Sequence, residues 1–529
     1  MVAAVNFAGD ATGVTADLLD SFILDVPFFL TGLAIDMKKA DSSENKQKSL
    51  QKIVREYCDK VVQVLEDPSC VPEDHLCTLL RSLNQSGTIL FREYPKLRKQ
   101  LIKSVISIWS SWPSDSVRIV ALLTLHHFCS KHSSLLEECR KIMYQHYTRS
   151  CRTLGPHNLG QATLMLNGLV EIFALQSASS IKFATKSLRQ MASLIQQAIK
   201  KPLKENTKKV LCWQFIALMR FWTRLIVVTS ASSKNPFREL VFPVTSILCC
   251  LLNFQFSPRY FAFHFHLVSC GIELMSKLSI FLPVAPCLLK IIGYVAKQPI
   301  YKLESKKAAY DLVALYKVPK SETCTKGYLE SVGEDALFYL LQFLTHESTK
   351  MTFPEHAQAI VRSLREMTAN NLKIDRIFKK QIEGHVSKIL QQSKEIENLC
   401  IKEAVTPLIL VTNDLVVPDA SRILLPYVAN LEAVRTAKRK MLSERPEEVV
   451  DKPIKPAKGK PKAAKMNDLG EPSSTQGTKK ESLVRDTPKT SAKTKRPLPA
   501  SKIRSGKRAK NTVAVSGDQD IVEDFVLND

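Results

Sequence analysis

Apolar side chains recur at three- and four-residue intervals along most of this chain, the period of a helix with one buried face. Leu79, Leu80 and Leu83, followed by Ile89 and Leu90, lie on one such face. Tyr94-Pro95 breaks it, and Leu97, Leu101, Val105, Ile106 and Trp109 define the next. Trp112-Pro113 then makes a turn, with Ser114 as N-cap and Asp115 in the first turn of a helix carrying Val117, Val120, Ala121, Leu123, Leu125 and Phe128. The same period predicts helices over about 134–150, 158–175, 182–200, 208–229, 237–254, 257–278 and 283–296. Ser257-Pro258 looks like a start, serine as cap and proline at the first helical position. Later segments fit at about 334–345, 354–369 and 374–399.

One helix and its turn take roughly 20 residues, so a pair takes about 40, the period of armadillo and HEAT repeats. No repeated motif accompanies the spacing. The expected fold is all-α, an irregular HEAT/armadillo-like α-solenoid, with a large helical bundle as the other arrangement. Scarce glycine, 17 residues in 529, agrees with helices joined by short turns.

The stretch 211–294 is apolar enough to demand burial, and 240–256 nearly reaches the roughly 20 residues that span a bilayer. Arg220, Arg224, Arg238, Arg259 and Pro243 interrupt it, which argues for a protein core and no membrane. No signal peptide is expected, since Asp10, Asp17, Asp20 and Asp25 precede any basic leader. Thirteen cysteines without CxxC spacing read as reduced thiols of a cytosolic or nuclear protein.

Three regions follow: 1–45 as a mixed leader, 46–436 as the helical scaffold, and 437–529 as a disordered basic tail with a short acidic end. In the tail, hydrophobic periodicity is lost and aromatics vanish until Phe525; such a segment buries too little apolar surface to offset its ordering entropy. Net charge is +24 overall. Residues 437–510 hold 22 Lys/Arg against 8 Asp/Glu, and 511–529 is at −5, which leaves +15 on the body. A basic body and a basic tail suggest a polyanionic partner, nucleic acid ahead of a membrane surface. The bland reading is a solubilising tail.

Lys495-Arg496 and Lys507-Arg508-Ala509-Lys510, ten residues apart, form a bipartite nuclear localisation pattern that an import receptor reads from an extended chain. Lys452, Lys455, Lys458, Lys460, Lys462 and Lys465 are candidates for RNA-phosphate contacts without sequence preference. Thr487-Pro488 is a weak phosphorylation signal. His264, His266 and Cys270 do not make a metal site, because 264 and 266 face apart on a helix and no second cluster completes the ligands. His126-His127 reads the same way. No acid/base pair, nucleophile elbow or phosphate loop is present, so neither an enzyme nor a cofactor is expected. Trp213 and Trp222 are core residues by default, although at nine residues apart one of them is free to meet a neighbouring helix or a partner. The interrupting arginines are expected at the flank, their stems covering apolar surface.

Trp213-Gln214, Arg220-Phe221-Trp222, Phe242-Pro243 with Thr245, Ser257-Pro258-Arg259-Tyr260-Phe261 and Phe281-Leu282-Pro283-Val284-Ala285-Pro286 together resemble the central signature of the nucleolar complex protein 2 family. Tyr94-Pro95-Lys96-Leu97, Val117-Arg118, Ala121-Leu122, Tyr147-Thr148-Arg149-Ser150-Cys151, Phe353-Pro354-Glu355 and Leu364-Arg365 extend the resemblance collinearly over about 82–399. Ala262-Phe263-His264 departs from it, standing where the family usually has Pro-Leu-Arg. The family's long charged N-terminal extension has no counterpart here, which suggests a divergent paralogue or a shortened form. The resemblance implies a HEAT-like scaffold in the nucleus and nucleolus. It would act with a related nucleolar complex family protein on pre-ribosomal RNA–protein particles, assembling and exporting large-subunit precursors. It also marks Trp213, Gln214, Arg220, Trp222, Pro243, Arg259, Tyr260, Pro283 and Pro286 as a possible interface. The alternative it carries is a chromatin-linked regulator that binds histones; a transport receptor fits the fold but not the tail.

Overall fold

The computed structural model describes residues 59, 61–65, 71–93, 95–175, 177–230, 236–300, 309–371, 374–403 and 416–443. Every regular element among them is helical, apart from one isolated bridge between Lys350 and Val416. Residues 59 and 61–65 are helical, and the longer described helices follow in order: α1 Glu73–Glu93, α2 Pro95–Ser111, α3 Asp115–Lys131, α4 Ser133–Ser150, α5 Leu159–Ala174, α6 Ser177–Lys200, α7 Lys204–Val210, α8 Trp213–Thr229, α9 Val241–Leu252, α10 Phe261–Leu278, α11 Ala285–Ala296, α12 Lys326–Glu347, α13 Phe353–Asn370, α14 Arg376–Lys402 and α15 Leu424–Ser443. Packing runs mainly between helices one to three places apart, α1 on α3, α2 on α3 and α4, α8 on α5 and α10, α12 on α10, α11 and α15. One continuous apolar core threads them, from Val61 to Val428.

The expected helices are found with three instructive changes. The segment expected over 208–229 is two helices. Cys212 between them is extended at φ −143°, ψ 163°. The break turns the lysines of α7 outward while α8 enters the core. The starts expected at Ser114 and Ser257 are real, but neither hydroxyl caps its helix. The side-chain cap is Asp375, which accepts from the amides of Ile377 and Phe378 at 3.0 and 3.3 Å and so starts α14. α10 closes on Ser279 in the left-handed region (φ 54°), ahead of the turn at Pro283. Gly333 in α12 has no Cβ to meet the ring of Phe378, which lets α14 approach closely.

The third change concerns the tail boundary. The change of character expected at Ala437 falls inside α15, which continues to Ser443. Leu424, Tyr427, Val428 and Leu431 seat its inner face. The positive charges that follow, which resemble tail sequence, are ion-paired: Lys438 to Glu334 at 2.6 Å, Arg439 to Asp311 at 3.6 Å, and Arg435 to Asp335. Arg435 also sits over the ring of Phe338 at 3.9 Å.

The 204–229 segment is apolar and long enough, by composition, to cross a membrane. α8 is instead wrapped on nearly every side, with only Arg224 and Val228 exposed between Trp213 and Val228. A helix apolar all round is buried in protein or in lipid, and here α4, α5, α9 and α10 surround it. Leader 1–45, the tail lysines Lys452, Lys455, Lys458, Lys460, Lys462 and Lys465, and the nuclear localisation residues Lys495, Arg496, Lys507, Arg508 and Lys510 lie outside the described residues.

Candidate docking surface

The central signature divides into a buried part and an exposed part. Trp222 is fully buried among Phe221, Phe173 and Tyr144, with ring centroids at 4.6, 6.0 and 6.2 Å. Trp213 packs on His266 and Tyr316 at 5.2 and 5.4 Å. Gln214 donates to the Thr148 carbonyl at 2.9 Å, and Tyr147 donates to that of Ala217 at 3.2 Å, tying α8 to the end of α4. These three signature residues therefore offer no docking face. Nine residues apart on α8 does place the two tryptophans on different faces, but both of those faces are core.

Arg220 is half-buried and donates to Nδ1 of His266 at 2.8 Å. The other nitrogen, Nε2, lies 2.8 Å from the Leu315 carbonyl, which can only accept. The proton therefore sits on Nε2 and the ring is neutral. Burial, with the Arg220 charge beside it, holds its pKa well below the ordinary histidine range. His264 is wholly buried with Nδ1 2.8 Å from the Tyr260 carbonyl, and burial lowers its pKa too. Burial also pushes the Cys270 thiol up to about 12. The described cysteines are free thiols.

Arg224, one of the interrupting arginines, pairs with Glu273 at 2.8 Å. Of the other marked residues, Arg259 lies 5.8 Å from the Tyr260 ring while its carbonyl accepts from Val318. The Pro258 carbonyl accepts from Tyr328. These contacts tie the loop before α10 to α12 and to Val318 through its main-chain carbonyls, and Arg259 and Tyr260 are half-buried. Pro243 is half-buried. Only Pro283 and Pro286 are exposed, beside Phe281, which is 53% exposed and rests on Phe343 and His356. Phe242, at 78%, is exposed at the start of α9. A groove of about 390 Å³ between α13 and α14, lined by Ile382, Val386 and Leu390 with Arg365 and Glu383 at its rim, is a further concavity.

Buried arginines are the functional-looking feature that periodicity did not single out. Arg118 of α3 donates from Nε to the Trp109 carbonyl at 2.8 Å, at the end of α2. Arg140 of α4 reaches the carbonyls of Ile172 and Leu175 at the end of α5 and the Ser179 hydroxyl at 2.6 Å. Arg422, only partly buried, reaches the Thr345 carbonyl at the end of α12 in a similar way. Each places positive charge on the partially negative end of a neighbouring helix. A signal was present: Arg140 stands four residues after Leu136 and three before Met143, on the apolar face.

A sequence model of the Noc2p family matches residues 134–407, just over half of the chain. The chain belongs to the Noc2p family. Among Noc2p relatives, Nucleolar complex protein 2 of Drosophila melanogaster is 24% identical over 358 residues, 67% of this chain and 45% of that one. An uncharacterised NOC2 family protein of Schizosaccharomyces pombe is 26% identical over 355 residues, 65% and 49% respectively. Nucleolar complex-associated protein 2 of Arabidopsis thaliana is 23% identical over 350 residues, 66% and 44%. This Noc2p chain thus spans about half the length of the relatives it matches. The matched region runs from α4 to α14 and contains both the buried signature and the exposed Phe281–Pro286 turn.

The neutral histidines make stability pH-dependent. His385, hydrogen-bonded to the Tyr427 hydroxyl at 2.9 Å, is lowered by burial to about 4. Its folded pKa lies below the unfolded value near 6.5, so the folded state binds fewer protons. Its contribution is intact above pH 6.5 and is lost as pH falls from there toward 4, by about 1.4 kcal/mol per unit. His264 and His266 act in the same direction. Unfolding free energy measured by denaturant titration should drop between pH 7.5 and 5.0, and His385→Gln should remove about 2 kcal/mol of that drop. An unaltered pH profile in the variant would show that this ring titrates freely.

Proposed function

We propose that this protein is a non-enzymatic nucleolar scaffold for ribosome biogenesis, an irregular HEAT-like α-solenoid. On this reading it acts with a related nucleolar complex family protein in assembling and moving large-subunit precursors. The carrying observation is the family match over α4–α14, whose relatives bear the name nucleolar complex protein. Two features of the fold support it. The signature residues are spent on locking α8 to α4, α5 and α10, as expected of a rigid frame. What remains exposed includes Phe242 and the turn of Phe281, Pro283 and Pro286, which is suited to a protein partner. Packing of each helix on its near neighbours supports the solenoid reading, which leaves long surfaces open to large ligands. The tail, carrying Lys495-Arg496 and Lys507-Arg508, supplies entry through an import receptor, and its lysines add sequence-independent contact with RNA phosphates.

Tagged protein purified from nuclear extract should bring down large-subunit precursor particles, partly lost on ribonuclease treatment, with the partner scaffold retained. The same chain lacking 495–510 should remain cytoplasmic. Recovery of histones without ribosomal precursors would overturn the assignment, and unchanged nuclear accumulation of the deleted chain would remove the import role.

A further inference from the structure

α6, Ser177–Lys200, has 24 residues and no acidic one. Its inner face, Ala184, Leu188, Met191, Ile195 and Ala198, is buried. On the opposite side Lys182, Lys186, Arg189 and Lys200 are all exposed, with Ser193, Gln196 and Gln197 filling the same stripe. At 100° per residue the four cations fall within roughly 60° of one another, along roughly 27 Å of helix axis. The carboxylates on the elements packed against α6 are Glu137 and Glu138 of α4, Glu171 of α5, Glu205 of α7 and Glu239 in the turn before α9; among the described residues none of these forms an ion pair with the four cations, Glu138 being paired with Lys99. α7 adds exposed Lys204.

Single exposed lysines are ordinary solvated residues. Four cations in line on an acid-free helix are different: among the described residues they repel one another with no carboxylate partner. In the same protein Arg224, Arg435, Lys438 and Arg439 are each matched by a carboxylate, so pairing is what this fold does with charge it keeps to itself. None of the described concavities is lined by residues of α6. A ligand with regularly spaced negative charge and no need of a pocket fits the stripe, and a nucleic-acid strand laid along it presents several phosphates to it.

We infer that the outer face of α6 binds the phosphate backbone of RNA, so that the folded body and not the tail alone holds the nucleic acid. This rests on the ribosome-assembly reading for the choice of RNA. The contact is electrostatic and without sequence preference.

The test uses the full chain, with the four cations changed to glutamine (Lys182→Gln, Lys186→Gln, Arg189→Gln, Lys200→Gln), against a 20-nucleotide uridine RNA and against polyglutamate. All four side chains are exposed, so the melting curve should be unchanged. The slope of log Kobs against log salt should become shallower by about 3, and affinity at 100 mM salt should fall at least tenfold. Restoring charge with lysine at 189 and arginine at 182, 186 and 200 should return both. An unchanged slope, with RNA binding lost only when Lys452–Lys465 are neutralised, overturns the inference and leaves the ribosomal reading standing. Loss of polyglutamate binding with RNA binding intact overturns it in favour of an acidic protein partner. Failure of the wild-type chain to bind RNA at any salt removes the RNA contact altogether.

Discussion

Trp222→Ala is expected to lower the unfolding free energy by about 3–5 kcal/mol, the range for deleting a large aromatic side chain from a packed core. The indole is fully buried, with Phe221, Phe173 and Tyr144 around it, rings contributed by α8, α5 and α4. Such a cluster cannot close around a void without moving three helices, so the cavity term adds to the lost transfer free energy. Phe242→Ala is the internal comparison. It belongs to the same signature but is 78% exposed, and should fall within about 0.5 kcal/mol of wild type. Urea titration followed by far-UV circular dichroism measures both. A Trp222→Ala loss below about 1 kcal/mol would show that the indole does not pack as described. If Phe242→Ala lost more than Trp222→Ala, the division of the signature into buried frame and exposed remainder would be reversed.

That division shows what is legible in a sequence of this kind. Helix existence follows from the 3.6-residue period, because each helix must bury one stripe, and Leu79, Leu80 and Leu83 or Ile360, Val361 and Leu364 declare theirs. α8 resists this reading. It is buried on all sides, so its pattern carries no phase, and nothing local distinguishes Trp213 and Trp222 as core residues from Trp213 and Trp222 as partner contacts. Only the helices stacked around it decide. α15 was obscured for the opposite reason. Arg435, Lys438 and Arg439 resemble the basic tail that follows, and their partners Asp335, Glu334 and Asp311 lie about a hundred residues away in sequence. Charge pairing of that range is invisible to a local count. The neutral state of His266 is non-local in the same way: its Arg220 and Leu315 contacts come from 46 and 49 residues away.

The buried arginines carry the second large prediction. Arg140→Met should cost about 3–4 kcal/mol, from the penalty for stranding a buried polar partner plus the lost helix-end charge. The guanidinium stays charged at neutral pH even though burial lowers its pKa to about 10. Methionine fills similar volume and escapes the desolvation cost, and replacing buried ion pairs by apolar residues is often neutral or stabilising. The decisive difference here is the identity of the partners. They are the main-chain carbonyls of Ile172 and Leu175, which no substitution can remove and which end α5 with its negative pole. Removing the arginine therefore leaves buried acceptors unpaired. Arg140→Lys keeps the charge but cannot reach Ile172, Leu175 and the Ser179 hydroxyl from one planar fork, so its loss should fall between those of wild type and Met. Guanidinium titration orders the three proteins. A methionine variant as stable as wild type would mean that desolvation outweighs the carbonyl contacts, and the helix-end role drawn for Arg118 and Arg422 would fail with it.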